Sequence, residues 1–80
     1  MECNAIKEFI ESRLAGAEAH VEGDGRHFEA KVICDQFAEK SLIQQHQLVY
    51  GVIKEEMAND SIHALSLKTF TQDAWRQANQ

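Results

Sequence analysis

The chain has 80 residues, 44% of them hydrophobic, and a net charge of −5. That length supports one thin core and no deep substrate cavity, so a single domain over residues 1–80 is expected. The eight basic residues (Lys7, Arg13, Arg26, Lys31, Lys40, Lys54, Lys68 and Arg76) form no stripe, which argues against nucleic-acid binding as the main activity, since that rests on neutralising phosphates.

Cys3 and Cys34 make neither a CxxC pair nor a disulfide framework. No apolar run approaches the ~18 residues of a membrane span, and the N-terminus has no signal-peptide pattern. A soluble, cytoplasmic chain without a membrane partner is the expectation.

Residues 4–15 place Ile6, Phe9, Ile10 and Leu14 at helical spacing, with Asn4 as a candidate N-cap and Gly16 as the stop. The polar face (Lys7, Glu8, Glu11, Ser12) reads as solvated. Residues 17–22 alternate strictly, with Ala17, Ala19 and Val21 on one face and Glu18, His20 and Glu22 on the other, as in a half-buried strand. Gly23-Asp24-Gly25 predicts a tight turn. A second strand follows over residues 27–35, with Phe28, Ala30, Val32 and Cys34 inward and His27, Glu29 and Lys31 outward. Cys34 reads as an inert buried thiol, and Cys3 as part of a frayed terminus.

Ser41 and Gln44 fit a capping box. They open a long helix, ending near Asn59-Asp60, whose stripe runs Leu42, His46, Val49, Ile53 and Met57. His46 on that stripe reads as a core histidine hydrogen-bonded to backbone, and Glu55 and Glu56 as solvated. Residues 62–70 predict a third strand. Period 2 puts His63, Leu65, Leu67 and Thr69 toward the core, with Ile62, Ala64, Ser66 and Lys68 opposite. Thr71 then caps a short helix that Trp75 packs onto the body.

The order is α-β-β-α-β-α. The second strand, long helix and third strand make a crossover whose length suits a parallel connection. The strand order first–second–third is therefore expected, with all helices on one face. His27 and His63 then begin neighbouring strands ~4.8 Å apart, within reach of a shared ligand. Two histidines are half a tetrahedral site, which suits ligation completed by a partner. The strand parity works against their convergence, so a flexible loop or a bend at the rim is needed.

Several segments resemble the BolA family. They are GDGRHF (residues 23–28), QQHQLVY (44–50) and above all IHALSLKT (62–69), followed by Trp75. The glycine loop is most similar to the IbaG-type branch. The resemblance covers essentially the whole chain. It implies an α+β, class II KH-like fold with a three-stranded mixed sheet. It also implies a non-enzymatic role beside monothiol glutaredoxins, sharing a glutathione-ligated [2Fe–2S] cluster in iron–sulfur trafficking or iron regulation, with no cofactor expected in the isolated chain. The family's histidine ligand corresponds to His63. The loop position that carries cysteine or histidine corresponds to His27. Because this loop has no cysteine, the resemblance implies imidazole ligation from this chain and thiolates from the glutaredoxin and glutathione, akin to a Rieske centre. Imidazole must be neutral to bind metal, so assembly is expected to be pH-sensitive. Arg26, Ser61 and Ile62 are the expected exposed flank that meets the partner.

Two other classes are weighed. A KH-like fold allows a nucleic-acid-binding transcriptional regulator, but residues 34–40 before the long helix contain no GXXG loop. A thiol–imidazole enzyme pairing Cys34 with His63 would need the end of one strand to meet the start of its parallel neighbour. Neither competes with the cluster-sharing role.

Overall fold

A computed structural model describes residues 2–79. Helix α1 (Cys3–Arg13) leads to strands β1 (Glu18–Gly23) and β2 (His27–Ile33). A 3-10 turn at Asp35–Phe37 precedes helices α2 (Leu42–Val52) and α3 (Lys54–Ala58), and strand β3 (Ala64–Phe70) ends in helix α4 (Gln72–Ala78). The sheet order is β1-β2-β3, with β1 antiparallel and β3 parallel to β2, as the crossover length implies. No helix of the described residues is long and apolar enough to cross a membrane.

The inward row of β2 (Phe28, Ala30, Val32) is buried, as is Ala19 on β1. Ile6 and Ile10 of α1, Leu14 beyond it, and Val49 and Ile53 on the α2 side close the core over that face. Cys34 is buried at 1% exposure, and its thiol donates to the Ala15 carbonyl. Phe37 of the 3-10 turn is buried beside it.

Helix α1 starts one residue earlier than expected. Glu2 is its N-cap, without a side-chain cap bond, so Asn4 is not the cap. Gly16 does follow the helix in the left-handed region, at φ 79°. The polar face is more than solvated surface. Glu11 accepts the Ala19 amide at 3.0 Å and Lys7 donates to the Ala19 carbonyl at 3.1 Å. Cys3, one helical turn before Lys7, lies with its sulfur 3.9 Å from the Gly23 carbonyl and is not frayed. Thus one stripe of α1, residues 3, 7 and 11, runs along the free edge of β1. The Lys7 ammonium, then the Ala19 amide, hold the Glu11 carboxyl below the ordinary glutamate range.

The Ser41–Gln44 capping box forms in both directions. The long helix, however, breaks at Ile53, where the backbone leaves helical geometry at φ −117° and ψ 21°. Gly51, Val52 and Ile53 are weak helix formers, and the break leaves Ile53 fully buried. Leu42 is 64% exposed and drops out of the expected stripe, because the first turn of α2 lies outside the core. His46 is half-buried, but its Nε2 has no hydrogen-bond partner among the described residues, contrary to the backbone-bonded histidine expected. Glu56 is also a correction, since it is 8% exposed and paired with Arg13 at 2.7 Å. Arg13 further donates to the Val52 carbonyl and lies over the Phe9 ring, tying α1 to the α2–α3 junction.

The C-terminal helix departs from the one-face arrangement. Thr71 caps α4 by accepting the Ala74 amide, and Trp75 then stacks on His20 and meets Phe70 edge-on, both at 5.2 Å. His20 and Phe70 belong to the outer rows of the sheet, so α4 covers part of the face opposite α1 and α2.

Candidate functional site

The parallel register pairs His27 with Ala64, and the Ala64 amide donates to the Arg26 carbonyl at 3.2 Å. That bond fixes the starts of β2 and β3 side by side. His63, immediately before Ala64, is therefore next to the His27 backbone. Both side chains are solvent-facing, with His27 at 77% exposure.

The alternation expected for residues 62–70 fails at its first two positions. The strand begins at Ala64, and the chain before it bends at residues 61–62. There the Ile62 amide donates to the Glu56 carbonyl at 3.1 Å, so Ile62 turns inward to 1% exposure and His63 outward. His63, expected on the core-facing row, is exposed instead. Ile62 is removed from the expected partner-facing flank, because it belongs to the core. Arg26 remains exposed and Ser61 half-buried, with the Ser61 amide held by the Asn59 side chain. From Ala64 onward the predicted inner row (Leu65, Leu67, Thr69) holds, with Ser66 and Lys68 exposed.

The loop carrying His27 is ordered by Asp24. Its Oδ1 accepts the amides of Arg26 and His27, each at 2.9 Å, and its own amide donates to the His27 carbonyl. These amide bonds, that of His27 first, hold the Asp24 carboxyl below the ordinary aspartate range. Gly25 supplies φ 98° at the apex. At Gly23 a Cβ would run into the His27 carbonyl and approach the Phe28 ring to 2.7 Å, so the hairpin closes only over glycine. Asp24 was readable as a turn residue but not as the group that positions His27. The signal was there, since an aspartate inside such a turn commonly binds amides two or three residues on.

Among the described residues no group of three or more His, Cys, Asp or Glu could hold a metal ion. The rim thus offers two exposed nitrogen donors and no closed cage. That donor set fits one part of a site whose other ligands come from elsewhere, and does not fit a structural zinc site.

Comparison with known proteins agrees with this fold. A family model described as BolA-like protein matches residues 9–74. The chain is 37% identical to acid stress protein IbaG of Escherichia coli strain K12, covering 94% of this chain and 89% of that one. It is 35% identical to a DNA-binding transcriptional regulator BolA of Haemophilus influenzae, covering 92% and 76%. The solved structure of a BolA protein homologue from Coxiella burnetii superposes with a TM-score of 0.88 at 42% identity, over 95% of this chain and 97% of that one. In sequence and in fold, then, this chain belongs to the BolA-like family.

Proposed function

We propose that the protein is a non-enzymatic cytoplasmic partner of monothiol glutaredoxins that shares a glutathione-ligated [2Fe–2S] cluster, in iron–sulfur trafficking or iron regulation. The observation that carries this reading is the pair of exposed imidazoles, His27 and His63, at adjoining strand starts. His27 and His63 would supply two nitrogen donors and the partner and glutathione the thiolates, a donor set akin to that of a Rieske centre. The chain's own part is to present the two rings at one rim, His27 through the Asp24-held loop and His63 through the inward turn of Ile62. When bound, such a cluster supplies one-electron chemistry and a transferable iron–sulfur unit. Relatives named as stress proteins or regulators accord with a role other than catalysis.

The test is anaerobic mixing with a monothiol glutaredoxin, glutathione, ferrous iron and sulfide. A heterodimer is expected whose absorption and EPR spectra differ from those of the glutaredoxin homodimer and whose affinity rises with the cluster present. Equal affinity with and without the cluster, measured by calorimetry, overturns the reading.

DNA binding is a second reading, favoured by the name of the Haemophilus influenzae relative. It is weakened here by the charge of −5 and because Lys7, Arg13 and Arg76 are engaged in ion pairs. An anisotropy titration with duplex DNA at moderate salt separates the two.

A further inference from the structure

The outer face of the sheet carries a groove that the histidine rim does not use. It measures about 200 Å³ and is lined by His20 and Glu22 of β1, Glu29 and Lys31 of β2, and Trp75 of α4. Three separate elements build it. Trp75 is fixed there by its stack on His20, with ring planes 17° apart, while His20 is held from behind by Glu18 at 2.7 Å.

In the antiparallel register Glu22 lies directly opposite Glu29, and His20 opposite Lys31. Like charges directly opposite across a strand pair are unfavourable. Neither glutamate joins an ion pair among the described residues, and Lys31, though it lines the same groove, reaches neither. The groove therefore combines an aromatic wall with two adjacent, uncompensated carboxylates. A planar cation suits both features, resting against the part of the indole that the His20 ring leaves uncovered and donating to carboxylate oxygens. A compact ammonium meets the carboxylates but has no plane to match the ring.

We propose that this groove binds a guanidinium group, seated against Trp75 and hydrogen-bonded to Glu22 and Glu29. Lys31, two residues further along β2 on the same face, opposes a cation by its own charge and limits the site to groups that reach the glutamate end. This assignment is independent of the histidine rim, since neither iron nor a glutaredoxin takes part.

Trp75 is the only tryptophan of the chain, so its fluorescence reads the groove directly. The full chain is titrated with agmatine, which carries a free guanidinium, and with a blocked Ala-Arg-Ala tripeptide, against potassium chloride at matched ionic strength. Saturation by agmatine assigns the site to a free small molecule. Saturation by the tripeptide alone assigns it to an arginine presented by a protein. The double substitution Glu22→Gln and Glu29→Gln, which relieves a repulsion on an exposed face and leaves the fold intact, should weaken binding by about tenfold or more. Lys31→Ala should tighten it. A response no different from potassium chloride for both probes overturns the proposal. So does undiminished binding in the double variant, or weaker binding in Lys31→Ala.

Discussion

Asp24 holds the His27 backbone from two directions, its carboxylate accepting the His27 amide at 2.9 Å and its own amide donating to the His27 carbonyl at 3.2 Å. The carboxylate form is the one that accepts, and the folded carboxyl sits below the ordinary aspartate range because of it. The sign follows from that direction. The ordering it contributes is complete above the ordinary aspartate range and is lost as pH falls through the lower, folded value. The Arg26 and His27 amide proton shifts should therefore follow the Asp24 titration in NMR. In Asp24→Ala they should be flat over the same range, and a glutaredoxin heterodimer should hold its cluster more weakly. Amides that ignore the Asp24 titration would remove this residue as the one that positions His27.

The two histidines should differ from core positions in what their loss does. Both are exposed, so His63→Ala and His27→Ala should each change stability by no more than ~0.5 kcal/mol in urea unfolding. His63→Ala should abolish the heterodimer's distinctive spectrum, whereas His27→Cys should keep a cluster with more thiolate character. Protons compete with metal for imidazole, so cluster loss on acidification should be shallower in His27→Cys than in the parent. Identical acid profiles for parent and His27→Cys would exclude His27 as a ligand.

Arg13→Ala leaves Glu56 with little solvent and no cation. Because the arginine side chain is 39% exposed and the glutamate side chain 11%, the expected cost is about 1–3 kcal/mol, below the roughly 3–5 kcal/mol of breaking a fully buried pair. Denaturant unfolding should show it as a lowered midpoint. The double change Arg13→Leu with Glu56→Leu should recover most of the loss, since it leaves no unpaired charge.

His46→Leu should be neutral or stabilising, by up to ~1 kcal/mol, because the native ring buries an Nε2 without a partner. A loss above ~1 kcal/mol in thermal unfolding would mean that the ring makes a contact worth more than its unpaired nitrogen costs.

Much of this arrangement was legible in the sequence where local pattern governs it. Strict alternation located β1 and β2, Ser41 and Gln44 announced the start of α2, and the crossover length set the parallel pairing of β2 with β3. That pairing placed His27 beside His63. What the sequence hid depends on long-range contacts. The exchange of Ile62 and His63 hangs on the Glu56 carbonyl, and alternation has no authority before the strand begins at Ala64. Glu56 looked solvated because its cation lies 43 residues earlier, on α1. The side of the sheet chosen by α4 was equally hidden, since a seven-residue helix with one tryptophan carries no face pattern of its own.

The stripe of α1 along β1 limits how copies of this protein can add to one another. Cys3, Lys7 and Glu11 engage the outward carbonyls of Gly23 and Ala19 and the outward amide of Ala19. A fourth strand arriving on that side would have to displace a charged pair already bound to the backbone. On β3, the Tyr50 hydroxyl donates to the Leu65 carbonyl at 3.4 Å. The β1 edge is protected from pairing with another chain by side chains of the same fold. Even when crowding or partial stress brings copies together, edge-to-edge growth through β1 is therefore opposed.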